Sequence, residues 1–530
     1  MLTLLPCLLL LLVFILVQIF SRSKLNIGNQ WLILVLSSLF TWGMMLFLRS
    51  HLPQPLTFVN WLPVAANADP ILFQLDEGSW AFSFALISLL AGMILVDTIR
   101  LHERTDIRDW SRIILLFLLG MAGCLLNSLL AFVLCWTLID LVGLIVQLTD
   151  EKAERSIRFI TVFFLRMVGT LLVLAVLVRN PGVVLNTSVF GADDFSLLIT
   201  GAAFRMVFFT KGEDSEFELS QTSFLESTRK IIPPFLAIVF LSRLQPGEAL
   251  SGLMLWFLAA AILMVLTASL QWFIIADSSK GESNVILFFS GLALVAALRA
   301  RPDATAVFGF FLPIVIGWPR LYSHRFHRMH TFLILFAIAL LGLPFTFAHD
   351  GLGSMAVGPL MLMNPLLWIS TALLVAGVIR TGLKKPDNGR DLESWMKLFY
   401  AIGLALVTVA PLIPGLWQLG KESNLQNIGI SAGICFLFAI ALVFSLVEKA
   451  RLWLGSTIPA GLKASTQKIG TAWEKLLASE WIQRIVELFS GAVRWLINGS
   501  NAILEGEGGI LWSFVFLALL LSLLIGGFGG

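Results

Sequence analysis

Runs of about 20 apolar residues recur along nearly the whole chain, and they leave few folds open to it. An α-helix rises roughly 1.5 Å per residue, so such a run spans the roughly 30 Å hydrocarbon layer of a bilayer. The runs fall at about 2–20, 30–49, 79–97, 112–127, 129–148, 157–178, 194–210, 231–246, 252–276, 284–300, 304–319, 330–348, 357–380, 395–417, 427–446 and 510–526. Lipid offers the backbone no hydrogen-bond partners, so each crossing segment must satisfy itself as a helix. The chain therefore reads as an all-α polytopic membrane protein of about 16 transmembrane helices. Composition agrees, because 13% of the 530 residues are charged, against roughly 25% in soluble domains. In the opening run, MLTLLPCLLLLLVFILVQIF, the basic residues Arg22 and Lys24 follow the apolar stretch. A secretory signal has the reverse order and a small-residue cleavage site, so this run reads as a retained first span.

Loop charge gives an orientation. Before the long C-terminal segment, the odd-numbered loops hold 20 Lys and Arg, whereas the even-numbered loops and their edges hold 6: Arg49, Arg179, Arg243, Arg299, Arg301 and Lys421. Positive charge stays on the cytoplasmic side. Both termini are thus expected on the extracytoplasmic face of the inner cell membrane.

Three parts are expected along the chain: a transmembrane bundle over 1–447, a segment at 448–509 and a last span within 510–530. The middle part differs in kind. Its Trp473, Leu477, Trp481, Ile485, Phe489 and Leu496 recur at three-to-four spacing, with Glu474, Gln483, Arg484, Glu487 and Arg494 largely between them. That stripe describes an amphipathic lateral helix at the cytoplasmic interface, or a cytoplasmic linker packed on its own protein.

Ionisable residues deep in apolar runs are costly and therefore informative. Three stand out: Asp140 in the fifth run, Arg166 in the sixth and Arg205 in the seventh. By position in their runs, all three lie near the bilayer midplane. An isolated charge there costs on the order of 2.5–3.5 kcal/mol on the insertion scale. Three at one depth on consecutive helices predict a paired or water-lined ionic centre. Lys397, near the end of its run, is able to snorkel to the interface.

Other chemistry finds little support. The formal charge of +3 and the absence of a long basic block argue against a nucleic-acid partner. Cys7, Cys124, Cys135 and Cys435 have no CxxC spacing and read as small apolar residues. His324, His327 and His330 share the basic stretch RLYSHRFHRMH, which reads as a solvated positive loop. No HExxH, phosphate loop, haem pair or iron–sulfur spacing occurs. Neither a metal nor a cofactor is expected.

Several stretches, in order, resemble the antiporter-like membrane subunits of respiratory complex I (NADH-quinone oxidoreductase) and the Mrp-type cation/proton antiporters. NWLPVAANADPILFQLDEGSWAFSFALISLL (60–90) is similar to the family's extracytoplasmic hairpin, here spanning 50–78, and its entry into the third span. FLLGMAGCLLNSLLAFVLCWTLIDLVGLIVQL (117–148) resembles the fourth and fifth spans, with a Gly-Met pair before a tryptophan and an acidic residue. LLITGAAFRMVFF (197–209) is similar to the seventh span, and ASLQWFIIADSSKGESNVILFFSGLAL (268–294) to a stretch carrying an Asp/Lys pair, here Asp277 and Lys280. AIALLGLPFTFAHDG (337–351) resembles the Gly-x-Pro turn of the twelfth span, with His349 and Asp350 at its outer end.

The resemblance covers roughly residues 55–450. It implies two inverted repeats, here about 112–246 and 252–417, each with a helix broken near the membrane centre, and ion sites at that level. The departures bear on mechanism. The family's acidic residue directly follows the tryptophan; here Thr137 follows Trp136, and Asp140 lies one helical turn on. Arg205 stands where the family has lysine, and VFGFFLPIVIGWP (307–319) holds neither lysine nor histidine. Pro313 is positioned to break that helix.

The expected function is that of a membrane subunit in a multi-subunit proton- or cation-translocating complex, with other membrane subunits as partners. In a conducting form, Asp140 carries the proton and Arg166 and Arg205 tune it. In a reduced form, the three only hold the bundle together and the subunit scaffolds an active paralogue. A stand-alone secondary transporter for a small anion, with the arginines as ligands, is a separate class. The acidic stretch TKGEDSEFELSQTSFLESTRK (210–230) reads as a solvated cytoplasmic loop or a dock for a basic partner.

Overall fold

The computed structural model describes residues 2–21, 27–57, 72–100, 107–149, 156–180, 183–207, 224–247, 252–274, 278–323, 329–344, 346–383, 393–417 and 425–446. Helices dominate: α1 (Leu5–Ser21), α2 (Ile27–Leu48), α3 (Glu77–Val96), α4 (Ile107–Leu125), α5 (Leu129–Thr149), α6 (Ser156–Arg179), α7 (Ala192–Val207), α8 (Phe224–Leu241) and α9 (Gly252–Ile274). They continue with α10 (Ser278–Leu298), α11 (Pro302–Ser323), α12 (His330–Leu340), α13 (Phe347–Ser354), α14 (Asn364–Leu383), α15 (Ser394–Val409), α16 (Leu412–Trp417) and α17 (Leu425–Leu446). Among the described residues, four short strands lie between helices: β1 (Gln54–Thr57), β2 (Leu72–Leu75), β3 (Val189–Phe190) and β4 (Gln245–Pro246). Among the described residues, seven helices are by themselves long and apolar enough to cross a membrane, and shorter apolar helices accompany them. The chain is an all-helical, multi-pass membrane protein.

Each of the first fifteen apolar runs is helical, and the differences have local causes. The split near Ser128 is present: α4 ends at Leu125 and α5 begins at Leu129. Between them the Asn127 N–H bonds the Leu72 carbonyl at 2.9 Å. The twelfth run is interrupted, because Gly342 adopts φ +71° and Pro344 follows two residues later, so α12 stops and α13 restarts. The fourteenth run divides at Pro411 into α15 and α16. Pro313 does not break α11, which runs through both Pro313 and Pro319. Flanking helices α3, α8, α10 and α13 pack along α11 and hold its path. The lateral segment 448–509, the last span and the hairpin tip at 58–71 lie outside the described residues.

Contacts between connections sort them onto two ends of the bundle. At one end β1 pairs with β2 antiparallel, β3 pairs with β4 in parallel, and the Leu185 N–H bonds the Asn127 carbonyl. Asn186 also reaches the Asp76 carboxylate at 3.0 Å. The hairpin and the α4–α5, α6–α7 and α8–α9 connections therefore share this end. In the second half Arg299, just past α10, donates to the carbonyls of Met355 (2.6 Å) and Leu360 (3.2 Å) before α14. At the opposite end Trp31 bonds the Ile94 carbonyl, Arg320 bonds Glu282 and Tyr400 bonds the Leu321 carbonyl. This alternation follows the span parity that the charge count implies.

The cation-poor end has structural uses for its arginines. Arg49 pairs with Glu77 at 2.9 Å, and Arg179 with Asp194 at 3.6 Å. Arg243 donates to the Cys124 carbonyl. Each is tied to a partner at a helix end.

Helix α3 is the axis of the bundle. Apolar on every face, it is buried from Ser79 to Val96, as an all-round hydrophobic helix must be. It starts with a capping box in which Asp76 and Ser79 exchange hydrogen bonds, which satisfies two of the free N-terminal donors. Helices α2, α4, α11 and α15 surround it. The α3–α15 crossing rests on two glycines: a Cβ on Gly403 would lie 2.7 Å from the Leu95 Cβ and 3.1 Å from the Gly92 carbonyl oxygen. Neither atom swings aside. Gly403→Ala is expected to destabilise by about 1–3 kcal/mol through overpacking. Gly433→Ala, on a surface with nothing within 4 Å, is expected to leave the melting temperature in detergent unchanged or raised. Equal melting of the two variants would show that the crossing is not close-packed.

Candidate functional site

The three charges deep in the sequence meet. Asp140 is one turn beyond Trp136 on α5, so both project on one face. Arg166 lies on α6 with Thr170 four residues on, and Arg205 lies on α7 four residues after Gly201. The α6–α7 crossing is glycine on glycine: a Cβ on Gly169 would sit 2.5 Å from the Gly201 carbonyl oxygen, and one on Gly201 would sit 2.7 Å from the Gly169 oxygen. Small residues let helix backbones approach in a membrane. That approach places the Arg205 stem against Gly169.

Asp140 Oδ2 lies 2.8 Å from Arg205 Nη1, and its Oδ1 lies 3.5 Å from Arg166 Nη1. The side chains of Asp140 and Arg205 are both 0% exposed. Arg205 Nη1 also donates to Thr170 Oγ1 at 2.9 Å, and the Thr170 hydroxyl donates to the Arg166 carbonyl at 3.0 Å. The guanidinium carbon of Arg205 stands 4.4 Å from the Trp136 ring centroid, a cation–π contact of about 2 kcal/mol when desolvated. Phe132 and Phe240 pack edge-on against that indole. One carboxylate thus faces two guanidiniums, leaving a net positive charge inside the bundle.

The remaining sequence candidates scatter. The Thr137 hydroxyl bonds the Val133 and Leu134 carbonyls of its own helix. His349 is buried in α13 beside the α12 break, its Nδ1 3.1 Å from the Gly342 carbonyl and 2.9 Å from Ser431 Oγ on α17. Asp350 lies in the first turn of α13. Lys280 is in the first turn of α10, its side chain outside the described residues, as is Asp277 altogether.

Sequence reasoning missed a second ionic site. Glu282 on α10 takes a two-pronged contact from Arg320 on α11, Nε to Oε1 at 2.5 Å and Nη2 to Oε2 at 2.6 Å. The Ser227 hydroxyl of α8 adds a bond to Oε1 at 3.3 Å. Glu282 lies just before the tenth run and Arg320 just after the eleventh, so a midplane search passes over both. Thr170 was also missed, although its i+4 offset from Arg166 put it on the same face. Among the described residues, no three His, Cys, Asp or Glu side chains gather as a metal site.

No protein-family profile and no curated protein match the sequence. Solved structures do share the fold. A chain of the Mrp complex from Dietzia sp. DQ12-45-1b superposes with TM-score 0.64 at 12% identity over 93% of this chain. This chain spans 63% of that one's length. A chain of respiratory complex I from Thermus thermophilus gives 0.58 at 15% identity, over 83% of this chain and 100% of the other. A chain of the membrane-bound sulfane sulfur reductase, an archaeal respiratory membrane complex, gives 0.57 at 13% identity, over 98% and 99%. The chain has the antiporter-like membrane-subunit fold in divergent form. The resemblance read from its motifs is borne out at the level of fold.

The charge imbalance ranks substitutions at the centre. Asp140→Asn leaves two buried guanidiniums unanswered and is expected to cost about 3–5 kcal/mol, as for breaking a buried pair. Arg166→Leu leaves the closer Asp140–Arg205 pair at net zero and is expected to be neutral or stabilising. Thermal melting of the purified variants checks the order; an Arg166→Leu as damaging as Asp140→Asn would contradict it.

Proposed function

We propose that this chain is a membrane subunit of a multi-subunit proton- or cation-translocating complex in the inner cell membrane, with both termini extracytoplasmic. The observation that carries this reading is the fold, shared over most of the chain with subunits of an Mrp complex, of complex I and of an archaeal respiratory complex. Its partners are then other membrane subunits. The segments 112–246 and 252–417 are read as the inverted repeats. In support, α4 packs against α8 as α9 packs against α14, and α12 and α13 are the two pieces of a broken helix.

Within such a subunit, the Asp140 centre is read as an ionic joint with reduced or lost conduction. A relay group must take and release protons near neutral pH, where a guanidinium stays charged. Asp140 is accordingly the one member able to exchange a proton, and both its neighbours are arginines. In the second half, His349 at the α12–α13 break is the titratable candidate, with Asp350 beside it. Asp277 and Lys280 remain candidates at the α9–α10 connection.

Purification of the tagged chain from its native membrane is expected to bring further membrane subunits with it. Recovery as a solitary, active transporter would overturn the subunit reading. In proteoliposomes of the intact assembly, Asp140→Asn is expected to lower the amount of stable complex while ion flux per complex stays within about twofold, an energy difference of roughly 0.4 kcal/mol. Loss of flux from fully assembled complex would instead make Asp140 the carrier.

A further inference from the structure

The Arg205 guanidinium is used on one side only. Its Nη1 faces Asp140, Thr170 and the Arg166 carbonyl, and one of its faces lies on the Trp136 ring. The other edge, Nε and Nη2, is buried and has no hydrogen-bond partner among the described residues. Trp136 is also fully buried, and its indole Nε1 likewise has no acceptor. Three N–H donors without acceptors among the described residues therefore belong to one Arg–Trp contact, in a group whose formal charge is positive.

We propose that the Nε–Nη2 edge of Arg205, with the Trp136 indole N–H, binds a small monovalent oxyanion at the level of the ionic centre. The Nε–Nη2 edge presents two parallel donors in the fork geometry that matches two oxygens carried on one atom. Nitrate, bicarbonate and a small carboxylate have that shape. One negative charge brings the Asp140–Arg166–Arg205 group to neutrality, whereas a dianion reverses its sign. This edge carries donors only and offers a cation nothing, and a single halide cannot give each donor of the fork its own acceptor atom. The site requires no conduction through Asp140, so it goes beyond the subunit reading and stands or falls separately from it.

The purified full-length chain, in nanodiscs at fixed sodium concentration and pH, is titrated with sodium nitrate against sodium chloride. Melting temperature and equilibrium binding of isotope-labelled nitrate are both read. Nitrate is expected to bind saturably and raise the melting temperature, as a ligand selective for the folded state must, and chloride is not. Arg205→Lys keeps the charge but removes the fork, and is expected to weaken nitrate at least tenfold. Trp136→Phe keeps the ring, removes one donor and is expected to weaken it severalfold. Asp140→Asn leaves an added positive charge and is expected to tighten it; Trp136→Phe stands as the test if the other two variants do not fold. Non-saturating nitrate effects, indistinguishable behaviour of the two anions, or nitrate affinity unchanged in Trp136→Phe and Arg205→Lys would each overturn the proposal. None of these measurements reads ion flux, so failure here leaves the subunit reading untouched.

Discussion

A charge in hydrocarbon must be answered by another charge, and the contact between Asp140 and Arg205 is where this bundle meets that demand. Coulomb attraction is strongest where water is excluded, and both side chains are sealed from solvent. The pair fixes how α5, α6 and α7 lie together. Close approach of Gly169 and Gly201 brings α7 onto α6, and Thr170 then has Arg205 within hydrogen-bond distance. Without the glycines the helices would stand apart and the charges would not meet. Packing and electrostatics select the same arrangement here.

Arginine recurs in the buried polar contacts of the described residues. Arg299 spreads its guanidinium over the carbonyls of Met355 and Leu360 and the Asn364 side chain. Arg380 reaches the carbonyls of Trp272 and Phe273 at the end of α9, and Arg320 grips Glu282 with two nitrogens. Helix ends leave carbonyls unpaired, and one planar, multi-donor cation serves several of them together. The same property makes arginine a poor proton carrier. A bundle fastened this way keeps the antiporter-like fold while Asp140 stays paired with two guanidiniums.

Much of the architecture was legible because bilayer thickness imposes a length and apolarity on each crossing. The first fifteen runs became helices, and the parity that loop charge implied returns in the contacts between connections. The meeting of Asp140, Arg166 and Arg205 was also legible, since equal depth on consecutive helices makes contact the inexpensive outcome. Other features had no such signature. Pro313 reads as a breaker in one dimension, yet α11 passes through it because neighbouring helices hold its path. Glu282 and Arg320 lie at run edges, where a charge is ordinary, and nothing in one dimension says that α8, α10 and α11 bring them together. Thr137 follows the tryptophan, but its hydroxyl turns back onto its own helix, leaving Trp136 itself to meet Arg205.

The sequence by itself determined that the chain crosses a membrane many times as helices, which loops share an end, and that its unusual charges fall deep in apolar runs. These follow from hydropathy, residue count and rise per residue, quantities that each segment carries alone. Tertiary structure decided which guanidinium takes Asp140 closely, that an indole backs it, and that one edge of Arg205 has no acceptor among the described residues. Those depend on the rotation of each helix about its axis and on ångström-scale approach at glycine crossings, which only the packed neighbours set.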